Sequence, residues 1–570
     1  MADGIFQIQR EESEAEKGTV PMLSQAADSA PTTVEEVEAE SVQEMSRWRR
    51  LGILVVLNTV TIVAAFDATS ICVMLPAVAK QLHASFALSL TMGSAVLLTS
   101  AISQPIFAEL ANVIGRRPAY LGSLVFYMAG SIVSGTAHSS VMLLAGRALQ
   151  GFGAGGPNAL SGLITSDLYS ARKRSGSMAY QQATWALGTV SGPIVGGAIV
   201  QGHESAWRWI FLASLPFLAL SFIGAWALMG YDKHQRNYRD IKHMDWIGGL
   251  LYIVFAVSLM LPLTWGGSRF PWKSVAVIVP FVISFFAFIA LGLYERKVEK
   301  PMFRRGVFGK PSAVGHLAMA ALHGLLMWMV LYYLAVYFMG VKTQSPLMTG
   351  VWALPATISV APLAAVVGVV AQKTGRYQGF LIGGWGLLVT IFGVLTILDK
   401  DSPTATILVL AMFMGMAMGL IFPLGAIAVP ATSDKRDAGH AISMIAVLRT
   451  LGQCLGVAVG TSIFSAQLTK ELEKVGLGNI PVSNVIQLMR ASTDNAGFDH
   501  TILSIVVAAA LKKLWMAGSI MAGLGLILSL FARCPRLPKD SNPQKKEKFQ
   551  DRESGEEQEP TSETDFRDAA

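Results

Sequence analysis

Long apolar stretches separated by short polar segments run from about residue 51 to residue 533 of this chain. A transmembrane helix needs roughly 20 apolar residues to cross a hydrocarbon core of about 30 Å, and about fourteen runs meet that length. The runs cover residues 51–75, 89–110, 118–137, 141–164, 176–200, 207–229, 244–265, 273–294, 312–339, 347–371, 377–398, 404–430, 438–466 and 512–533. The pattern therefore predicts an all-α integral membrane protein.

Positive charges recur in every second polar segment between these runs. The segments predicted to be cytosolic contain Arg47, Arg49, Arg50, Arg116, Arg117, Arg172, Lys173, Arg174, Lys233, Arg236, Arg239, Lys242, Arg296, Lys297, Lys300, Arg304, Arg305, Lys310, Lys373, Arg376, Lys435 and Arg436. The intervening outer segments contain few basic residues, among them Arg269, Lys273, Lys342 and Lys400, before the long segment that begins near residue 467. Because Lys and Arg are enriched on the cytosolic side of membranes, the alternation predicts that both chain termini are cytosolic.

The composition also indicates that the chain lies in a lipid bilayer. The 570 residues are 52% hydrophobic and 15% charged, whereas soluble domains are about 25% charged. The formal charge of +7 comes from residues between apolar runs, which favours a topological role over nucleic-acid binding. With 3 cysteines, the sequence predicts neither a disulfide framework nor a metal site.

The two ends of the chain and one internal segment differ from the rest. Residues 1–45 and 534–570 are charged and poor in aromatic side chains, which predicts disordered tails and no cleavable signal peptide. Residues 467–511 are predicted to form a long outer loop. Its apolar stretch "TILSIVVAAA" is too short to cross the bilayer, so we interpret it as an interfacial or re-entrant helix.

Glycines at four-residue spacing occur in two distant runs, at Gly188, Gly192 and Gly196 and again at Gly452, Gly456 and Gly460. Such spacing places them on one helix face, where the missing side chains permit close packing. The contact is interpreted either as a tight helix pair or as an interface between halves that seals or hinges. Pro193 removes one helical hydrogen bond from the first copy and allows a kink.

The repeated glycines also indicate how the chain is divided. If the thirteenth run repeats the fifth, the chain contains two six-helix bundles, a repeat arrangement common in transporters. We predict an N-terminal bundle at 46–230, a linker with two inserted helices at 231–310, and a C-terminal bundle at 311–533.

Two ionisable residues fall inside apolar runs at similar predicted depth. Asp67 lies roughly 6 Å and Arg147 roughly 7 Å outward of the centres of their runs. Charged groups inside a membrane are expensive and mark functional sites by default. Burial disfavours the charged form of a carboxyl group, so Asp67 is predicted to take up and release protons, with Arg147 as its partner. A purely structural role is the alternative for each residue.

Several of these residues lie in motifs of a known family. The stretch "GTVSGPIVGG", with Gly188, Gly192, Pro193, Gly196 and Gly197, resembles the helix-five motif of antiporters in the major facilitator superfamily. The stretch "RALQGFG" at 147–153 resembles the helix-four motif. "FDAT" at 66–69 with "LP" at 75–76 is similar to the helix-one motif of fourteen-helix drug:proton antiporters. "WRWIF" at 207–211 and "LRTLG" at 448–452 are similar to fungal members.

The resemblance implies a major facilitator fold with two inserted helices, and a functional role for Arg147, Gln150 and Gly151 of the helix-four motif. One loop departs from the family pattern. The family's Asp in the loop between helices two and three, thought to act in a cytosolic charge latch, is replaced by Asn112 in "AELANVIGRR". Two interpretations remain: Glu109 substitutes for the Asp, or the latch with Gly115, Arg116 and Arg117 is weaker.

Aromatic and methionine side chains in the central runs suit bulky apolar ligands. Trp185, Trp328 and Tyr332 are candidate cavity residues, with helix packing or lipid contact as the alternative for each. Arg449, which has a counterpart in the family that the motifs resemble, is a weaker candidate. The sequence contains no ATP-binding loop and no grouping typical of hydrolases, so we predict no cofactor, no enzymatic activity and a gradient as the energy source.

The predicted function is proton-coupled efflux of a small amphipathic toxin, drug or secondary metabolite. The protein is expected to be a monomer in the plasma membrane, with the vacuolar membrane as the alternative. Two other functions remain open at this point. One is import by the same fold, for example of iron–siderophore complexes, which the helix-five motif disfavours. The other is a transport-inactive sensor, which Asn112 favours and the intact Asp67 and Arg147 disfavour.

Overall fold

The computed structural model describes residues 45–84, 86–169, 171–203, 205–230, 241–242, 244–267, 270–299, 301–433, 437–478 and 500–536. The secondary structure of these residues is helical, apart from an isolated bridge between Gly266 and Phe270. The predicted tails lie outside the described residues, apart from a few residues at their inner ends.

The first part of the chain forms six long helices. They are α1 (Arg47–Gln81), α2 (Phe86–Ile114), α3 (Arg116–Gly135), α4 (Ser140–Leu168), α5 (Ala171–Gly202) and α6 (Trp207–Leu228). Two local signals set boundaries within this half. Ser139 caps α4 by accepting a hydrogen bond from the backbone N–H of Met142 at 3.2 Å. Gly115 separates α2 from α3 in a left-handed conformation with φ 95°, which glycine adopts without steric cost.

Two further long helices and one short helix precede the second half. They are α7 (Trp246–Trp265), α8 (Val275–Glu295) and α9 (Arg305–Phe308). Asp245 begins α7 as its N-cap and accepts a hydrogen bond from the Gly248 N–H at 2.7 Å. A capping side chain of this kind stabilises a helix start by about 1 kcal/mol.

The second half is built from long helices and from two interrupted ones. Its helices are α10 (Pro311–Gly340), α11 (Pro346–Trp352), α12 (Leu354–Ile358), α13 (Val360–Thr374), α14 (Gln378–Leu395), α15 (Thr404–Ile421), α16 (Leu424–Thr432), α17 (Ala438–Lys474) and α18 (His500–Phe531). The apolar run 347–371 is divided into α11, α12 and α13, and the run 404–430 is divided at Phe422 and Pro423. Proline lacks the backbone N–H that would continue a helix, which accounts for the second interruption.

The two halves repeat one packing pattern. In the first half α5 packs on α1, α4 on α3, and α6 on α3. In the second half α17 packs on α10, α15 on α14, and α18 on α14. The helices α7 and α8 pack on each other, and α7 also contacts α2 and α17. This arrangement is the one expected for two six-helix bundles with an inserted pair.

Every predicted apolar run coincides with one helix or with consecutive helices. Among the described residues, 12 helical segments are long and apolar enough to cross a membrane. The helices α3 and α4 are not among those segments, although both pack inside the first half. The structure is therefore that of a multi-pass α-helical membrane protein, and the count of fourteen spans stays a prediction.

The interpretation of "TILSIVVAAA" as a separate interfacial helix was wrong. Residues 501–510 form the first turns of α18, which continues unbroken to Phe531. The polar Lys512 and Lys513 interrupted the apolar run in the sequence, but they do not interrupt the helix. The segment between α17 and α18 is correspondingly shorter than the predicted loop at 467–511, because α17 extends to Lys474.

Candidate functional site

Asp67 is the centre of a buried polar network in the first half. Only 2% of its surface is exposed. Its Oδ2 accepts a hydrogen bond from Tyr127 Oη at 2.8 Å and another from Gln150 Nε2 at 2.8 Å. The network brings together α1, α3 and α4. Tyr127 could not be predicted as a member because a tyrosine in an apolar run carries no distinctive signal.

Arg147 belongs to the same network but reaches Asp67 through Gln150. Its Nη1 donates to Gln150 Oε1 at 2.8 Å, and its Nε donates to the Met92 carbonyl oxygen at 3.4 Å. The guanidinium also lies over the ring of Phe211, 5.4 Å from the centroid. The expected proximity of Asp67 and Arg147 is thus present, with the Gln150 amide as the bridge.

Two atoms of this network have no hydrogen-bond partner among the described residues, Asp67 Oδ1 and Arg147 Nη2. Buried polar groups are paired in most proteins, and an exception calls for an explanation. A proton can bind Asp67 Oδ1 without displacing a hydrogen-bond donor, because Tyr127 and Gln150 both donate to Oδ2. When the proton leaves, the charged carboxylate still has those two donors and lies near the Arg147 cation.

The glycine face of α5 packs against α1 around Asp67. A Cβ atom at Gly188 would lie 2.6 Å from the Ile62 carbonyl oxygen, and one at Gly192 would overlap Thr69 Oγ1. A Cβ at Gly196 would lie 3.0 Å from the Ser70 Cβ. The interpretation of this face as an interface between halves was wrong, because α1 belongs to the same half. The absent side chains permit the close α1–α5 pair.

The glycine face of α17 packs in the same way against α10. A Cβ atom at Gly452 would overlap the Ala321 carbonyl oxygen, and one at Gly456 would overlap that of Leu325. Both glycine triplets therefore pack on the first long helix of their own half, which supports the inferred duplication.

The contact between halves near this end of α5 uses two other positions. A Cβ atom at Gly197 would lie 2.5 Å from the Pro346 carbonyl oxygen, and one at Gly350 would overlap the carbonyl oxygen of Pro193. The Pro193 turn of α5 thus touches α11, the segment that opens the interrupted helix of the second half. Gly350 was missed because a lone glycine in an apolar run gives no signal of its partner.

The loop between α2 and α3 is joined to α4 by charge. Arg116 Nε lies 3.0 Å from Asp167 Oδ2, and Arg116 Nη1 donates to Asn112 Oδ1 at 2.7 Å. Asn112 Nδ2 donates in turn to Glu109 Oε2 at 3.3 Å. Asp167, which the sequence analysis did not identify, is the acid that pairs with Arg116, and Asn112 retains a hydrogen bond where the family has a charge.

Two more of the predicted motif residues have defined contacts, and several predicted basic residues lie outside the described part of the chain. Arg117 lies 5.7 Å from the centroid of the Trp226 ring, and Gly151 packs closely on Val96. Some of the basic residues used for the topology, or their side chains, lie outside the described residues: Arg172, Lys173, Arg174, Lys233, Arg236, Arg239, Arg269, Lys300, Lys435 and Arg436.

A cavity of about 730 Å³, including space open to its surroundings, lies between the halves. Its wall from the first half is α5, with Trp185 and Thr189. Its wall from the second half comes from α10, α12, α13 and α15, ending at Phe422. The hydroxyls of Thr189 and Thr357 bond to backbone carbonyls of their own helices, so the lining is almost entirely apolar.

The four predicted cavity residues occupy different places. Trp185 lines the cavity. Trp328 is fully buried behind Trp185, and the centroids of the two rings are 6.5 Å apart. Tyr332 is buried where α10 meets α2, with its Oη 2.9 Å from a Cβ placed on Gly93. Arg449 lines a separate, smaller cavity.

Comparison with known sequences and structures extends this picture. The sequence profile of the Major Facilitator Superfamily matches residues 57–457. The chain belongs to the major facilitator superfamily. It is a membrane transporter of small molecules rather than an enzyme, since relatives over most of its length are transporters.

The curated relatives include fungal efflux proteins. "MFS transporter L2" of a Phoma species is 32% identical over 493 residues, covering 85% of this chain and 82% of the relative. "Efflux pump FUS6" of Gibberella moniliformis is 29% identical over 525 residues, covering 89% of this chain and 91% of the relative. "MFS efflux transporter aclA" of Aspergillus oryzae is 31% identical over 458 residues, covering 80% and 82%.

Solved structures share the fold at low identity. A bacterial homologue of the human lysosomal transporter Spinster, inward-facing and occupied, gives a TM-score of 0.57 at 16% identity, covering 86% of this chain and 97% of that chain. The xylose transporter XylE of Escherichia coli gives 0.51 at 13% identity, covering 85% and 96%.

Proposed function

We propose that this transporter is a proton-coupled efflux antiporter for small amphipathic organic molecules. The observation that carries the proposal is Asp67, a buried carboxyl group in a membrane-spanning helix with one oxygen unpartnered. An ionisable group in that setting marks a functional site by default, and proton relay is one of the roles that such groups have in transporters. Efflux is supported by the names of two relatives, one an efflux pump and the other an efflux transporter.

Proton binding at Asp67 is linked to the interface between the halves through α1, α5 and α11. Ionised Asp67 accepts hydrogen bonds from Tyr127 and Gln150, and protonation weakens both because the neutral group is a poorer acceptor. The residues that flank Asp67 on α1 pack on the glycine face of α5. The Pro193 turn of α5 contacts Gly350 of the other half, so a shift of α1 against α5 reaches the interface between halves.

The substrate occupies the apolar cavity between α5 and the second half. A bulky apolar body fits the lining of Trp185, Met414, Met418 and Phe422, because aromatic and methionine side chains adapt to varied shapes. The substrate enters while the cavity faces the cytosol and leaves outward. A proton then binds Asp67 from outside and is released to the cytosol after the return.

We also propose fourteen spans, cytosolic termini, a monomer and the plasma membrane as the location. The positive-inside alternation supports the orientation. A fluorescent fusion of the full chain in fungal cells tests the membrane: rim fluorescence agrees with the proposal, and fluorescence confined to the vacuolar membrane contradicts the location alone.

The function is tested by accumulation of rhodamine 6G and of 9-anthracenecarboxylic acid methyl ester in cells that express the protein. We expect lower accumulation than in cells without it, and a return to the control level when a protonophore is added. Unchanged accumulation of both compounds contradicts efflux. Lower accumulation that survives the protonophore contradicts proton coupling, and higher accumulation indicates import.

A further inference from the structure

A second cavity, of about 290 Å³ including open space, lies in the C-terminal half beside the main one. Its lining differs from the apolar main cavity because it includes His316, His323 and Arg449, from α10 and α17. No carboxylate is among its lining residues, and none of the ion pairs formed by the described residues includes Arg449. A cation in a membrane protein's interior is expensive without a counter-charge.

Two buried atoms of this cavity's lining residues have no partner among the described residues, Arg449 Nε and His323 Nδ1. His323 is 1% exposed. Its Nε2 lies 3.1 Å from the Met418 carbonyl oxygen. Because a carbonyl only accepts, Nε2 carries the hydrogen, and Nδ1 of the neutral ring is left as an acceptor. The pair therefore offers one donor, on Arg449, and one acceptor, on His323.

Phe422 connects the residues of this cavity to the main one. The ring of Phe422 lines the main cavity. It lies 4.3 Å from the Arg449 guanidinium carbon and 5.7 Å from the centroid of the His323 ring. Phe422 stands at the interruption between α15 and α16, where Pro423 follows. Pro423 has no backbone N–H with which to continue the helix, so Phe422 lies at a break in the helical hydrogen bonding.

We propose that Arg449 and His323 form a subsite for a carboxyl group of the transported molecule, whose apolar body lies in the main cavity on the other side of Phe422. The inference rests on the proposed function and names the substrate class: amphipathic molecules with one carboxyl group.

A carboxyl group matches the one donor of Arg449 and the one acceptor of His323. Arg449 Nε–H donates to the carbonyl oxygen of a carboxylic acid, and the acid O–H donates to His323 Nδ1. The neutral acid beside a neutral His323 and the carboxylate beside a protonated His323 differ only in the position of one proton. The net charge of the site is therefore the same in both forms. An ester supplies the carbonyl acceptor but no hydrogen for His323 and no charge for Arg449.

The test measures binding of 9-anthracenecarboxylic acid and of its methyl ester to the purified full-length protein in nanodiscs, by fluorescence anisotropy of the anthracene. We expect the acid to bind about tenfold or more tightly than the ester, the range for hydrogen bonds to a charged group. In Arg449→Gln and His323→Leu the acid is expected to lose this preference over the ester. Met319→Leu, a volume-conserving change in the same cavity, is the matched control and keeps the preference.

The outcomes separate this subsite from other roles of Arg449. Arg449 Nη2 also donates to the Phe422 carbonyl oxygen at 3.0 Å, and a purely structural role predicts that Arg449→Gln weakens acid and ester in equal proportion. That result, or equal affinity of the wild type for both compounds, overturns the subsite. The export measurement with the ester is independent of it, so efflux of the ester without acid preference leaves the transport function in place. Absence of binding by both compounds also overturns the subsite.

Discussion

Gln150 holds the two charged residues of the first half in one network. Its amide donates to Asp67 Oδ2 and Ser131 Oγ, and its carbonyl oxygen accepts from Arg147. An apolar replacement leaves Asp67 with one donor fewer and takes from Arg147 its only side-chain hydrogen-bond partner among the described residues. Leaving a buried polar group unpaired costs about 1–3 kcal/mol.

We therefore expect Gln150→Leu to lower the number of protons moved per substrate molecule in proteoliposomes and to lower the melting temperature. Gln467→Leu, which removes a hydrogen bond to Glu471 only, is the matched control and keeps both. If Gln150→Leu lowers the two fluxes in equal proportion, Gln150 acts on folding alone.

At the residue scale, the sequence predicted the charged residues of the Asp67 network but not the hydrogen bonds that connect them. Asp67 and Arg147 were identified because charges in apolar runs stand out. Tyr127 and Ser131 were not, because tyrosines and serines occur throughout membrane helices without a distinguishing pattern. Asp167, which pairs with Arg116, lies beyond the apolar run 141–164 and did not stand out as a buried charge. The partners of Asn112 and Arg116 come from contacts among α2, α3 and α4, which one sequence does not contain.

Helix α17 depends on glycines where it crosses α10. A Cβ at Gly456 would overlap the Leu325 carbonyl oxygen, whereas one at Gly386 in α14 would meet no heavy atom within 4 Å. Overpacking a close contact costs about 1–3 kcal/mol, while alanine in an open helix position stabilises by about 1 kcal/mol.

The same substitution is therefore expected to have opposite effects at these two positions. Gly456→Ala lowers the melting temperature in detergent, and Gly386→Ala leaves it equal or raises it. Equal melting temperatures for the two variants contradict the close α10–α17 contact.

Most element boundaries could be read from the sequence, except where a helix continued through polar residues or was interrupted inside an apolar run. Each of the fourteen runs coincides with one helix or with consecutive helices, because apolar length is a strong signal. The start of α18 was misplaced since Lys512 and Lys513 separate two apolar stretches of one helix. The partner of the α5 glycine face was left open between two alternatives for another reason: periodicity identifies the packed face but not the helix that covers it.

At the scale of the whole molecule, the two halves meet through α5 and α11. A side chain at Gly350 would overlap the Pro193 carbonyl oxygen, so Gly350→Val separates the halves at this contact. We expect this variant to bind the anthracene ester but to transport it at least about tenfold more slowly, because a misfitted contact of 1.4 kcal/mol or more changes a rate by that factor. Wild-type transport by Gly350→Val contradicts a role of the contact in the cycle. The matched control is Gly368→Val, whose added side chain begins in open space.

The orientation of the whole chain is testable at Cys534, which follows α18. Of the 3 cysteines, Cys72 and Cys454 are buried and Cys534 is partly exposed. Burial raises the pKa of the Cys534 thiol. Less thiolate is therefore present near neutral pH, and labelling by a maleimide accelerates as the pH rises. We expect a membrane-impermeant maleimide to label Cys534 in inside-out vesicles and not in intact cells, with Cys534→Ser as the control. Labelling in intact cells contradicts the cytosolic C-terminus.

Proton coupling through Asp67 is the central claim, and simultaneous measurement of both fluxes tests it most directly. Purified protein in proteoliposomes with an imposed pH gradient is assayed for movement of the anthracene ester and for proton flux with an internal pH dye. The wild type is expected to move protons against substrate. Asp67→Asn, which keeps the side-chain volume but cannot release a proton, is expected to move none while still binding the ester. Asp399→Asn, a change in an exposed loop, is the matched control. Wild-type proton flux in Asp67→Asn would contradict the account.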